Sequence, residues 1–287
     1  FLIIRRPPRP TPLYSSAASD AYKRQAMVSG TRISMTGQGP LVVLIHGVFM
    51  DGRMWEAQVA ALSQSNRVCC LDMLGHGGSL NPPGERVLAD FVDQVHHVVQ
   101  FLSEYGKPVL GGFSMGGLVS QAYAVQYHAS LRGLMLLNTV YQRSASESTT
   151  VEQRLDGMIE GGLDSLIESA NDRWFTNSDR DQAPRAIEEI LGWMRNGAFQ
   201  PKLKAYLVFA RGDKDTAGKL NNISCPALIM TGEDDGGSTP LMAKRMAESI
   251  PNSRLRILEG QRHMMPVLGA SLVNSLILDF LREVENG

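Results

Sequence analysis

The chain has little cysteine: Cys69, Cys70 and Cys225 are the only three in 287 residues. Three cysteines cannot build a disulfide framework, and none stands in a CxxC or Cys/His cluster, so no structural metal is expected. A reducing, cytoplasmic setting fits this usage. An excess of charge of one sign is also missing. Lys+Arg 28 against Asp+Glu 29 leaves a formal net charge of −1, with no basic run and no basic–aromatic stripe. No nucleic-acid partner is therefore expected. Long apolar runs are absent too. Leu41–Ile45 and Leu134–Leu137 fall far short of the roughly 20 residues that span a bilayer, and no membrane partner is expected. What is present is an ordinary globular balance, 43% hydrophobic and 20% charged, in a chain long enough to bury a sizeable core.

Residues 1–25 stand apart. They carry four prolines, four arginines and a serine cluster without period, which reads as a disordered tail. The same string resembles translated sequencing-adapter read-through, a reading that starts the natural chain near Met27. From there the pattern becomes regular. Val28–Thr36 reads as a strand pair with Gly30 and Gly37 as turn signals. Leu41–Ile45, Arg67–Leu71, Pro108–Gly112 and Leu131–Leu137 are buried strands, alternating with helices Trp55–Leu62, Leu88–Tyr105 and Leu118–Tyr127. That alternation predicts an α/β fold, a doubly wound and mostly parallel sheet covered by helices on both faces. It breaks over 144–215, a charged segment with helices Val151–Ala170, Ala183–Asn196 and Leu203–Ala210. It resumes with strand Pro226–Met230, helix Pro240–Ser249, strand Arg254–Leu258 and helix Leu268–Val284. The expected organisation is thus a core of 26–143 and 216–287, interrupted after the fourth parallel strand by a helical insertion, 144–215.

The sharpest chemical signal is Gly112-Phe113-Ser114-Met115-Gly116-Gly117, placed between a buried strand and a helix. Such a turn strains its middle residue, and glycines on either side remove the collisions that side chains would make. Ser114 is then lifted above the carboxyl edge of the sheet, as a nucleophile or as a plain helix cap. A serine hydroxyl needs a base. Of six histidines, His263 follows the last strand and can reach the same sheet edge. His46 ends the first buried strand, and His76 sits in a glycine-rich loop. The base needs an orienting acid. Thr231-Gly232-Glu233-Asp234-Asp235 follows another strand, with Asp235 preferred to Asp234 and Glu233. The order serine, acid, histidine suits this kind of sheet. Two backbone amides should stabilise the oxyanion, from Met115 and from the His46–Phe49 loop at Val48. The loop Asp72–Ser79 lacks the Lys-Ser/Thr of a phosphate loop; Asp72 and Ser79 are expected to brace it by local hydrogen bonds.

Together, His46-Gly47, Asp72-x-x-Gly75-x-Gly77-x-Ser79, Gly112-x-Ser114-x-Gly116-Gly117, Gly232-x-x-Asp235 and Gly260-x-x-His263 resemble the α/β-hydrolase superfamily. The subgroup is similar to small cofactor-free esterases and lactonases, including 3-oxoadipate enol-lactonases and aminoacrylate-hydrolase-like proteins. Serine rather than aspartate at 114 departs from haloalkane dehalogenases and epoxide hydrolases. The resemblance implies a serine hydrolase that cleaves a small ester or lactone through an acyl-enzyme on Ser114, without a cofactor. The alternatives are a ligand-binding protein on the same fold, or hydrolysis at a C–N bond. It makes 144–215 a cap over Ser114, with Phe49, Trp174, Val140 and Met264 as expected substrate contacts. Phe175, Trp193 and Phe199 are further candidates for the lining. Arg143, Arg154, Arg173 and Arg195 are candidates to hold a substrate carboxylate.

Overall fold

A computed structural model describes residues 24–286. Most of the expected tail lies outside the described residues, but its last two positions do not. Arg24 and Gln25 belong to β1 (Arg24–Val28), which pairs antiparallel with β2 (Thr31–Thr36) in the register Val28↔Thr31. Only Ser29 and Gly30 lie between the strands, both at positive φ (47 and 80). That backbone matches the twist of the two strands and closes the hairpin tightly. The strand runs back past the expected boundary because β2 offers partners as far as Met35.

The remaining strands are β3 (Leu41–Ile45), β4 (Arg67–Leu71), β5 (Val109–Phe113), β6 (Gly133–Leu137), β7 (Ala227–Gly232) and β8 (Ser253–Leu258). The sheet order is β1-β2-β4-β3-β5-β6-β7-β8. From β4 to β8 every pairing is parallel. Every residue of β3, β5, β6 and β7 is buried. Covering on both faces is why these strands read as unbroken apolar runs rather than alternating ones. The covering helices are α1 (Glu56–Leu62), α2 (Leu88–Phe101) and α3 (Met115–Tyr127), and later α9 (Pro240–Ser249), α10 (Met265–Leu268) and α11 (Ala270–Asn286). α1 packs on α10 and α11, and α2 packs on α3.

Between β6 and β7 stand α4 (Ala145–Trp174), α5 (Asn177–Gln182), α6 (Pro184–Arg195), α7 (Phe199–Arg211) and α8 (Asp213–Thr216). α4 extends beyond the expected Val151–Ala170 at both ends. Its start is fixed by a capping box in which Ser144 and Glu147 satisfy each other's backbone amides. It is also not straight. Gly162 sits inside it at φ 67, ψ −155, a conformation that essentially only glycine adopts. α4 is therefore two helical segments joined by a kink.

Because the strands from β4 to β8 are parallel, the loops that leave their carboxyl ends share one edge of the sheet. That edge carries Val48, Asp72, Ser114, Asn138, Asp235 and His263. No helix among the described residues is long and apolar enough to cross a membrane.

Candidate active site

Ser114 ends β5 at φ 53, ψ −114 and is 4% exposed. The strain is permitted by its neighbours. A Cβ on Gly112 would lie 2.1 Å from the Gly116 carbonyl oxygen, and one on Gly116 would lie 2.3 Å from that of Ile45. The backbone is tied down as well: the Ser114 N–H donates to Leu137 (2.9 Å), and the Thr139 hydroxyl donates to the Ser114 carbonyl (2.7 Å). The side chain is thus held at the mouth of α3, where the first amides have no acceptor within the helix.

His263 lies on the loop after β8, buried between Phe113 and Trp174, whose rings are 4.9 and 5.3 Å from its own. Its Nδ1 is 2.7 Å from Asp235 Oδ2. With Nδ1–H donating to the carboxylate, Nε2 is left as an acceptor. Of the three acids on the turn after β7, Asp235 is the buried one and Glu233 and Asp234 are exposed. Asp235 also accepts from Asn138 Nδ2 and from the backbone amides of Gly237 and Ser238, each at 2.9 Å. Burial would raise its pKa. The His263 charge, the hydrogen bond to His263 and the further donors outweigh that and hold it below the ordinary carboxylate value.

The other histidines on this edge are already engaged. His46 Nε2 accepts the Met73 amide (2.9 Å), and Nδ1 lies 2.7 Å from the Gly47 carbonyl. His76 Nε2 accepts the Phe49 amide (3.2 Å). Burial lowers the pKa of both, that of His76 well below 6.5. Phe49 itself is at φ 67. With the Phe49 amide on His76 and the Met50 amide on the Gly47 carbonyl, the Val48 amide is left without a protein acceptor among the described residues, as is that of Gly47. The loop Asp72–Ser79 is braced as expected. Asp72 accepts the amides of Gly52 and Gly78, and the Ser79 hydroxyl donates to the Asp72 carbonyl.

Ser114 and His263 open into one pocket whose walls include Val48, Phe49, Trp174, Tyr206, Arg154 and Arg173. Its free volume is about 90 Å³, on a measure where one water takes roughly 10–15 Å³, so it is sized for a small molecule. Two expected contacts are not on its wall. Val140 is fully buried, and its carbonyl accepts from Gln121. Met264 is fully buried as the residue that opens α10. Both follow a site residue in sequence, but the chain has turned into the core by that point. Phe175 and Trp193 are likewise buried away from the pocket, Phe199 stacks on Phe49 behind the wall, and Arg195 is exposed at the end of α6. Sequence reasoning missed Asn138 and Tyr206. Asn138 was detectable as the polar residue closing an apolar strand; Tyr206 had no signal beyond its place in a helix.

A family model described as the alpha/beta hydrolase family matches residues 42–272, and the chain belongs to that family. It is an α/β-hydrolase enzyme. It is 34% identical over 245 residues to an (E)-2-((N-methylformamido)methylene)succinate hydrolase from Acinetobacter baylyi, covering 85% of this chain and 91% of the relative. A 3-oxoadipate enol-lactonase 2 from the same species is 26% identical, covering 77% and 80% respectively. Among solved structures, a thermophilic esterase from Thermogutta terrifontis, with malate bound, superposes with a TM-score of 0.80 at 29% identity. It covers 92% of this chain and 99% of its own.

Proposed function

We propose that this enzyme is a serine hydrolase that cleaves a small carboxylic ester or lactone through an acyl-enzyme on Ser114. The observation that carries the reading is the 2.7 Å contact of His263 Nδ1 with buried Asp235, beside a pocket that Ser114 also enters. His263 Nε2 takes the hydroxyl proton as Ser114 Oγ attacks the carbonyl carbon. The amides of Val48 and Met115 stabilise the resulting oxyanion. His263 then gives its proton to the leaving alkoxide, and the C–O bond breaks. Water repeats the sequence on the acyl group, releasing the acid and restoring Ser114. Asp235 fixes the imidazole tautomer and stabilises the imidazolium. In this reading 144–215 is the cap, closing the pocket with Trp174 and Tyr206, and no cofactor is needed. Turnover of a short p-nitrophenyl ester tests it. Activity no greater than that of Ser114→Ala would make the protein a ligand binder instead. Hydrolysis at a C–N bond is a second reading, favoured by the relative whose name carries an N-methylformamido group; amide analogues in the same assay separate the two.

A further inference from the structure

The charges around the pocket do not cancel. Arg143 is on the wall, but its guanidinium is 2.7 Å from Asp213 and also donates to the carbonyls of Phe209 and Ala210. Glu147 is on the wall and is held by Arg245 at 2.9 Å and by the Ser144 amide. Glu152 pairs with Arg211, and Asp235 with His263. Arg154 and Arg173 remain. Among the described residues neither makes an ion pair: the Asp235 charge acts on Arg173, but the Asp235 oxygens already accept from His263, Asn138 and the Gly237 and Ser238 amides, and Arg173 hydrogen-bonds only the neutral Ser169 hydroxyl, 3.2 Å from its Nε.

These two arginines are 19 positions apart on one element, which in a straight helix would separate them by roughly 28 Å. They are neighbours instead. A Cβ placed on Gly237, two residues from Asp235, would find the Nη1 atoms of both at 3.8 Å. The kink at Gly162 folds the second segment of α4 back, so that Val151 and Arg154 of one segment face Leu166 and Arg173 of the other across the same pocket. Burial and the charge of Arg154 push the Arg173 pKa down to about 10, which still leaves the Arg173 guanidinium cationic near neutral pH. The Tyr206 hydroxyl beside them stays protonated, because burial raises its pKa. Two half-buried cations pressed together with a neutral donor are unfavourable until an anion joins them. A carboxylate matches the planar guanidinium fork.

We infer that Arg154 and Arg173 form an anion subsite, and that the substrate is a small acyl compound carrying a free carboxylate besides the bond to be cleaved. The inference builds on the reading of Ser114 as nucleophile, and its test separates the two. The probes are monomethyl esters of succinic, glutaric and adipic acid, each compared with its uncharged dimethyl ester. The proteins are wild type, Arg154→Met, Arg173→Met, the double variant and Arg173→Lys.

The wild type should favour the best half-ester over its dimethyl counterpart by on the order of 10² in kcat/KM. Each Met variant should lower that ratio roughly 10- to 100-fold, mainly through KM, as loss of a charged hydrogen bond does. Arg173→Lys should recover part of it. Succinate should raise the melting temperature of the wild type and not that of the double variant. A wild-type ratio near one, a ratio unmoved in the double variant, or equal stabilisation of both proteins by succinate would overturn the subsite. Esters cleaved without charge preference would leave the nucleophile standing and remove the subsite. Arginine-dependent succinate binding with no ester cleaved would do the reverse.

Discussion

The sheet edge and the helical insertion build the two sides of one pocket by opposite means. At the sheet edge position follows from backbone. Ser114 is where it is because a strand turns into a helix through glycines that tolerate contacts of 2.1 and 2.3 Å. In the insertion position follows from a fold-back. Arg154 and Arg173 meet only because one glycine, Gly162, breaks a 30-residue helix. In the proposed reading, reaction chemistry is thus set by local geometry that any substrate would use, and selectivity by side chains that are distant in sequence and can be exchanged without touching that geometry.

Substitutions should therefore separate into those that stop turnover and those that redirect it. The largest effect is expected at Ser114. Ser114→Ala should cost on the order of 10⁴–10⁶ in kcat and abolish labelling by a fluorophosphonate. Asp235→Asn should follow at roughly 10⁴, with the fold intact, because the imidazole loses its orienting acceptor. Exposed Asp234→Asn should change kcat little, since a solvated charge is worth about 1 kcal/mol at most. Equal losses in the two variants would break the assignment of the acid. His76→Phe keeps a ring but removes the acceptor of the Phe49 amide. The stranded amide should disturb the Val48 loop and lower kcat roughly 10- to 100-fold, while His76→Gln should restore part of it. Gly162→Ala tests the other side. The added Cβ meets nothing within 4 Å, so its cost is backbone strain alone, about 1–3 kcal/mol. It should lower the preference for half-esters more than it lowers kcat on a neutral ester.

The smallest effect is on stability against pH. His46 and His76 are held neutral, each with a pKa below 6.5 because of burial. The unfolded chain takes up these protons near pH 6.5 and the folded chain does not. Their contribution is therefore full above pH 6.5 and is lost as pH falls from there toward the folded values. Melting temperature should decline between pH 6.5 and 5, with a shallower slope in His76→Gln. An unchanged slope would assign the decline to other groups.

The same contrast explains what could be read from sequence. Unbroken apolar runs, glycine-flanked turns and a terminal polar residue are local signals, and they located the strands, the elbow at Ser114 and the loops that bring His263 and Asp235 to one edge. The helices of 144–215 were visible as periodicity, but their mutual packing was not. The same periodicity would fit a straight α4 or a kinked one. Val140 and Met264 were misplaced for a related reason: nearness in sequence to a site residue does not fix which way a side chain faces once the backbone turns. Arg154 and Arg173 stood out only as two of four arginines until the pairing of Arg143 with Asp213 and the exposure of Arg195 set them apart.

The proposed mechanism places a covalent acyl-enzyme on Ser114 at the sheet edge. Acid quench of the enzyme during turnover of a half-ester, followed by intact-mass and peptide analysis, tests it most directly. An added mass equal to the acyl group is expected on the peptide containing Ser114, absent in Ser114→Ala and longer-lived in His263→Ala treated with an activated ester. An acyl group on any other residue, or full turnover by Ser114→Ala, would contradict it.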